Sequence, residues 1–454
     1  MSKKSIDGII KGAFCLGVGT FIAKLIGAIY RIPLTNLIGG YGLGLYQMVF
    51  PVYTLLLDFS SAGVPNALSK IISGQKYHKE YHAYNYLKTS IKVLSILGII
   101  FSSVMFLGGK FFANFQGDDK AFLGYVFLSP AIFFVCIISS FRGYFQGLLN
   151  MKPTAISQVL EQVIKLVVGL LFAYIFINKV IYQVAGITFA ITLSEIVATL
   201  FLYFVYKKRN SKLNLKLSYD KTSEKQRLKT LLKYCLPIVI VGTLIPLSHV
   251  IDSVLIINLL KEYTPYATLL FGILSGVALT IVNLPVSVCY GIATASIPYV
   301  SKETDIVEQN KKLEKSLMIT LGVSLVCSLV AYFFSEQIIS ILYTSLKGYQ
   351  KTTAVNLLRL LSPCIVLLSL VQTQNALLIG KNKLYLPSVS LVVGIATKIT
   401  VNIILLKNPN FNIYGGAIGV IACYFVTCLI NLIVLWTIKV RNANKTYKDK
   451  KSTN

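Results

Sequence analysis

Residues 122–147 read FLGYVFLSPAIFFVCIISSFRGYFQG, an apolar run whose only formal charge is Arg142. It is long enough to cross a bilayer, which asks for roughly 20 mostly apolar residues because an unpaired backbone group has no partner in hydrocarbon. Its centre, Leu128-Ser129-Pro130, returns as Leu361-Ser362-Pro363 in the equally apolar stretch 354–379, a shift of 233 positions. Gly147 and Gly380 keep that shift, as do Lys165 and Lys398. Three landmarks at one offset indicate a duplicated chain.

Outward from this pair, apolar spans are predicted at 9–30, 42–64, 89–108, 122–147, 155–177, 182–206, 234–259, 267–298, 316–335, 354–379, 385–406 and 415–438. Composition agrees. The chain is 55% hydrophobic and 13% charged, with a mean hydropathy of +0.69, whereas a soluble domain carries about 25% charged residues. The fold class is therefore an all-α polytopic membrane protein of about twelve transmembrane helices in two six-helix lobes. The lobes are placed at 1–206 and 234–438, with a basic linker at 207–233 and a polar, basic tail at 439–454. A second echo sets Ala62-Gly63-Val64-Pro65-Asn66-Ala67-Leu68-Ser69-Lys70 beside Ala295-Ser296-Ile297-Pro298-Tyr299-Val300-Ser301-Lys302. Six spans per half is an even number, so the repeats enter the membrane in the same direction. Such a pair is expected to enclose a cavity and to alternate access by rocking.

A formal net charge of +27 raises the question of nucleic acid, and its distribution answers it. Of 44 Lys and Arg, 29 fall at the termini and the even-numbered loops and 8 in the loops between them. That is the positive-inside bias, which places both termini in the cytoplasm and turns the basic loops toward anionic lipid. Nucleic acid is excluded as a partner. The eight cysteines, Cys15 to Cys428, lie in or beside apolar spans with no metal spacing, so they read as small buried hydrophobes. No small-residue cleavage site follows the first span, which is expected to remain as the first helix. Nothing resembles a catalytic constellation or a phosphate-cradling Gly-Lys-Ser/Thr loop, and no cofactor is expected beyond a coupling cation or proton.

Ionisable groups at membrane depth face a cavity or a partner. Lys24 and Arg31 stand seven apart on one face of the first helix, and Arg142 closes the fourth span. Glu161 and Lys165 are one turn apart with the acid first, an order that favours a local ion pair. Lys398, the repeat mate of Lys165, has Gly394 where that acid would be and so lacks a local partner. Lys24, Arg31, Arg142, Lys165 and Lys398 are thus candidate contacts for an anionic ligand. Asp58, Glu161, Glu195 and Asp252 are candidates for ion coupling, with His249 in reach of Asp252. Tyr46, Gln47, Gln146, Gln158, Gln162, Gln372, Gln374 and Asn375 could meet sugar hydroxyls or pack helix interfaces.

Two stretches carry a family resemblance. Ile38-Gly39-Gly40-Tyr41-Gly42-Leu43-Gly44-Leu45-Tyr46-Gln47, running on to Ala62–Lys70, is one. Phe141-Arg142-Gly143-Tyr144-Phe145-Gln146-Gly147 followed by Asn150–Gln162 is the other. Both resemble the stage V sporulation protein B family, within the superfamily that includes multidrug-and-toxin-extrusion transporters and lipid II flippases. The resemblance implies a V-shaped, two-lobed helical fold that moves undecaprenyl-pyrophosphate-linked sugars outward across a bacterial plasma membrane. It implies a cationic cavity to which Lys24 and Arg31 contribute. Many members carry two further helices, so teichoic-acid and capsule precursors stand beside lipid II as substrates. Partners would be the lipid-linked oligosaccharide, membrane lipids and envelope-synthesis enzymes. A cation-coupled multidrug antiporter of the same fold and a non-transporting envelope or sporulation scaffold are the alternatives.

Overall fold

A computed structural model of the chain describes residues 3–74, 79–210, 223–301, 306–381, 383 and 385–452. Among these residues there is no strand, and eleven helical stretches are long and apolar enough to cross a membrane. The first stretch holds two predicted spans. Helix α1 (Lys3–Ser61) would measure roughly 90 Å if straight, about three bilayer hydrocarbon cores. It breaks at Gly39, whose φ of 67° and ψ of −177° suit glycine alone. The spans expected at 9–30 and 42–64 are the two arms of this broken helix, and the twelve-span architecture stands.

The chain divides into two compact units, Met1–Val250 and Ile251–Asn454. Besides α1, the first contains α2 (Val64–Ser73), α3 (Lys79–Phe115), α4 (Phe122–Gly147), α5 (Lys152–Ile175), α6 (Val180–Asn210) and α7 (Glu224–Gly242). Helix α8 (Leu244–Lys261) runs across the boundary. The second unit continues with α9 (Ala267–Gly272), which passes through a π-helical turn at Ile273–Ala278 into α10 (Leu279–Ser301). Then come α11 (Ile306–Phe333), α12 (Ser335–Leu342), α13 (Tyr349–Gly380), α14 (Leu386–Leu406) and α15 (Tyr414–Ser452). Of the predicted linker, residues 211–222 lie outside the described residues, as does Lys302 at the end of the second echo. Helix α7 groups with the first unit: Lys92 Nζ lies 2.8 Å from Glu224, Arg227 Nε donates to Thr89 Oγ1 at 3.1 Å, and Lys70 lies 4.6 Å over the Tyr234 ring.

The stretch Ala62–Lys70 makes a corner. Gly63 takes φ 81°, and Pro65 sits in the first turn of α2, where a missing N–H is no loss. Helix α2 buries Val64, Ala67, Leu68, Ile71 and Ile72, a stripe at helical spacing. It rests on the glycines that close α4. A Cβ on Gly143 would lie 2.8 Å from Leu68 Cβ, and one on Gly147 2.6 Å from Ile72 Cβ.

The duplication extends to individual hydrogen bonds. Proline has no N–H, so Pro130 leaves the carbonyl of Val126 without its helical donor, and Pro363 does the same to Arg359. In each case the serine before the proline supplies the donor: Ser129 Oγ to Val126 O at 2.9 Å, Ser362 Oγ to Arg359 O at 2.8 Å. A serine of the neighbouring helix then donates to that serine's own carbonyl, Ser102 to Ser129 and Ser328 to Ser362, both at 2.8 Å. Both kinks are thus saturated in the same way, which is what hydrocarbon demands.

Gly147→Val is expected to force α2 off α4 and to destabilise the chain by about 1–3 kcal/mol, as overpacked cores do. Gly17→Ala, with nothing within 4 Å of the added atom, should be neutral. The thermal unfolding midpoint of the detergent-solubilised protein checks both.

Candidate functional site

Within the first unit, α1, α4 and α5 surround a hollow of about 300 Å³ lined by Thr20, Ala23, Lys24, Gly27, Arg142, Gln158, Glu161 and Gln162. The α1 residues stand at i, i+3, i+4 and i+7, and the α5 residues at i, i+3 and i+4, so each helix presents one face. Small residues bring the two helices together. A Cβ on Gly19 would lie 2.6 Å from Ala155 Cβ, and one on Gly27 3.1 Å from Gln162 Oε1. Polar side chains tie the walls. Thr20 Oγ1 donates to Gln158 Oε1 at 2.9 Å, Arg142 Nη2 to Glu161 Oε2 at 2.9 Å, and Gln162 Nε2 to Glu161 Oε1 at 3.1 Å. Arg142 Nε donates to Ser157 Oγ at 3.1 Å, and that hydroxyl donates to Thr154 O at 2.8 Å.

Five predicted residues, Lys24, Arg142, Gln158, Glu161 and Gln162, meet at this hollow. Arg31, seven residues beyond Lys24, is half-buried on α1 and is not among the lining residues. Lys165 lies 5.8 Å over each of the Tyr30 and Phe50 rings, a cation–π arrangement. The local Glu161–Lys165 bridge that the spacing favours is absent: Glu161 bonds Arg142 across helices. A guanidinium fork suits a carboxylate better than an ammonium does. Glu195 is buried on α6, in electrostatic reach of Glu161, Arg142 and Lys165. Asp58 is half-buried in the second arm of α1 near Gly242, with no cation at salt-bridge distance among the described residues.

Lys398 requires a correction. Gly394 denies it a partner on its own helix, but Asp252 of α8 provides one at 2.6 Å, and both residues are buried. Asn402, one turn further along α14, is fully buried with neither amide atom hydrogen-bonded among the described residues. The two ion pairs differ in access. Arg142 and Glu161 keep 16% and 18% of their side-chain surface, whereas Lys398 and Asp252 keep 6% and 12%, so the first pair is the one a ligand could reach.

The repeat sharpens the contrast. At the shift of 233, Gln158, Glu161 and Gln162 correspond to Leu391, Gly394 and Ile395, and Arg142 to Asn375. The polar face of α5 therefore has no counterpart on α14, and the charge of Arg142 is replaced by a neutral amide. Composition could not single out Thr20, Ala23, Gly27 and Ser157. A signal existed, however, in the Gly19, Ala23, Gly27 series at four-residue spacing, the small-residue pattern of close helix contacts in membranes.

Residues 9–304 match the family described as polysaccharide biosynthesis protein. The chain belongs to that family. A second match, to MatE, covers residues 237–404. Among curated relatives, the lipid II flippase MurJ of Bacillus subtilis (strain 168) is 28% identical, the alignment covering 97% of this chain and 84% of that one. Stage V sporulation protein B of the same organism is 25% identical over 93% of this chain and 82% of its own length. Of solved structures, a multidrug resistance MATE family transporter of the MOP superfamily superposes with a TM-score of 0.80 at 18% identity, covering 96% of this chain and 99% of that chain. A lipid II flippase MurJ structure gives 0.71 at 15% identity, covering 92% and 87%; these two likenesses carry the fold. The family member described here is a multi-pass membrane transporter and not an enzyme.

Removing one partner of the buried pair is expected to be far worse than removing both. Lys398→Met should destabilise by about 3–5 kcal/mol, leaving Asp252 charged in the second unit's interior, while Asp252→Asn with Lys398→Met should lie close to wild type. Thermal unfolding midpoints of the three proteins in one detergent decide this.

Proposed function

We propose that this chain flips undecaprenyl-pyrophosphate-linked sugars, lipid II or a teichoic-acid or polysaccharide unit, from the inner to the outer leaflet of a bacterial plasma membrane. The observation that carries this reading is the hollow lined by Lys24 and Arg142 within a fold shared with the MATE and MurJ structures. Moving a bare diphosphate through hydrocarbon is opposed by a solvation cost on the order of tens of kcal/mol. Fixed cations and amide or hydroxyl groups replace the lost water. Arg142 offers a planar fork matched to phosphate oxygens, Lys24 a compact second charge, and Thr20, Gln158 and Gln162 hydrogen bonds for sugar or phosphate. Both termini face the cytoplasm in this scheme, and the membrane potential or an ion gradient drives the cycle. An antiporter for cationic drugs would want an acidic site, whereas this one holds two bases and one acid.

In cells depleted of this protein, with no related protein able to substitute, the lipid-linked precursor should build up on the inner leaflet. Lys24→Gln with Arg142→Gln should reach the membrane in normal amount yet fail to restore export, with outer-leaflet labelling at least about tenfold below wild type, as expected for loss of charged contacts. A scaffold would tolerate both changes. Labelled precursor arriving at the outer face at an unchanged rate after depletion would sink the proposal.

A further inference from the structure

The hollow contains a feature that works against its proposed ligand. Glu161 is an anion set among groups suited to a phosphate, and it occupies the guanidinium that the phosphate would use. Like charges in one pocket repel, and the effect grows as the local dielectric falls. Yet this carboxylate is held with care. Arg142 Nη2 bonds one oxygen at 2.9 Å and Gln162 Nε2 the other at 3.1 Å. Beside that bond, Ser157 accepts from Nε at 3.1 Å, fixing the plane of Arg142 in place. Glu161 is thus prepositioned as a partner, with both its oxygens held, while the pair keeps access to the hollow.

We propose that Glu161 is the release element of this site, an internal anion that satisfies Arg142 when the hollow is empty and competes with a bound diphosphate for it. The inference rests on the flippase reading above. An empty hollow without Glu161 would take from Arg142 its direct ion-pair partner at membrane depth, leaving it the Ser157 hydroxyl and the field of Glu195, a costlier state. Substrate would then be retained by the penalty of its own departure. With Glu161 in place, departure returns Arg142 to a waiting partner, and the substrate is bound firmly enough to enter and loosely enough to leave. The effect scales with ligand charge. A sugar diphosphate lipid, with two negative charges, is weakened by Glu161 twice as much in free energy as a phosphodiester with one.

The test uses the full chain in lipid nanodiscs and two probes with the same sugar and polyprenyl chain, one joined by a diphosphate and the other by a single phosphodiester. Glu161→Gln is expected to bind the diphosphate probe about tenfold more tightly and the phosphodiester about threefold more tightly. In proteoliposomes it should flip the diphosphate probe more slowly despite the tighter binding. Glu161→Asp, which keeps the charge but shortens the reach, should shift both quantities the same way by less, and it decides the matter if Glu161→Gln does not fold. Affinities equal to wild type, or weakened by the same factor for both probes, would overturn the release role and leave Glu161 a structural prop for Arg142. A folded wild-type protein that binds neither probe would overturn the flippase reading along with it.

Discussion

Hydrocarbon offers no hydrogen bond and little solvation, so every polar group this chain carries into the membrane must bring its own partner. That constraint explains features which otherwise look unrelated. The carbonyls orphaned by Pro130 and Pro363 are met by the hydroxyls of Ser129 and Ser362. The charge of Lys398 is met by Asp252, and that of Arg142 by Glu161 and Ser157. The helices are held less by hydrophobic force, which is weak between surfaces already in lipid, than by small-residue contacts such as Gly19 on Ala155 and Gly147 on Ile72. Asn402 and Asp58 aside, the charged and amide side chains described above are either matched or set around a hollow.

The two units began as copies and have diverged in what they do with their interior charge. Lys165 and Lys398 occupy equivalent positions. In the second unit the lysine is closed onto Asp252 in a buried pair, and the flanking residues Leu391, Gly394 and Ile395 carry no polar side chain. In the first, the lysine rests over Tyr30 and Phe50. Gln158, Glu161 and Gln162 on the same helix face a hollow instead. The first unit lines its hollow with polar side chains of α5, while the equivalent positions of α14 in the second are apolar.

Much of the fold was legible in the sequence, because the properties that place a helix in a membrane are local. Length and apolarity give the spans, and the Leu-Ser-Pro echo gives the duplication. The candidate site was only partly legible, because its pairings are not local. Lys398 was expected to be without a carboxylate because Gly394 stands one turn away, but its partner lies 146 positions distant on another helix. Glu161 has a base four residues ahead of it, yet it chose one nineteen positions behind. Spacing along a helix shows which groups share a face; it does not show which neighbouring helix that face will meet. The helicity of residues 31–41 was hidden for a different reason, since Gly39-Gly40 marks a permissive backbone without revealing that the residues around it stay helical.

The serine–proline kinks have a consequence for descent. With Pro130 present, Ser129 supplies the donor that Val126 would otherwise lack, so losing the serine first would strand a carbonyl in lipid. Replacing the proline first restores an N–H and makes the serine dispensable. Mutational paths away from either bend are therefore ordered, proline before serine, and so is the reverse path into one, in which the hydroxyl must arrive before the ring. Lineages that have straightened these helices should include some that still carry the idle serine, a relic of a bend no longer there.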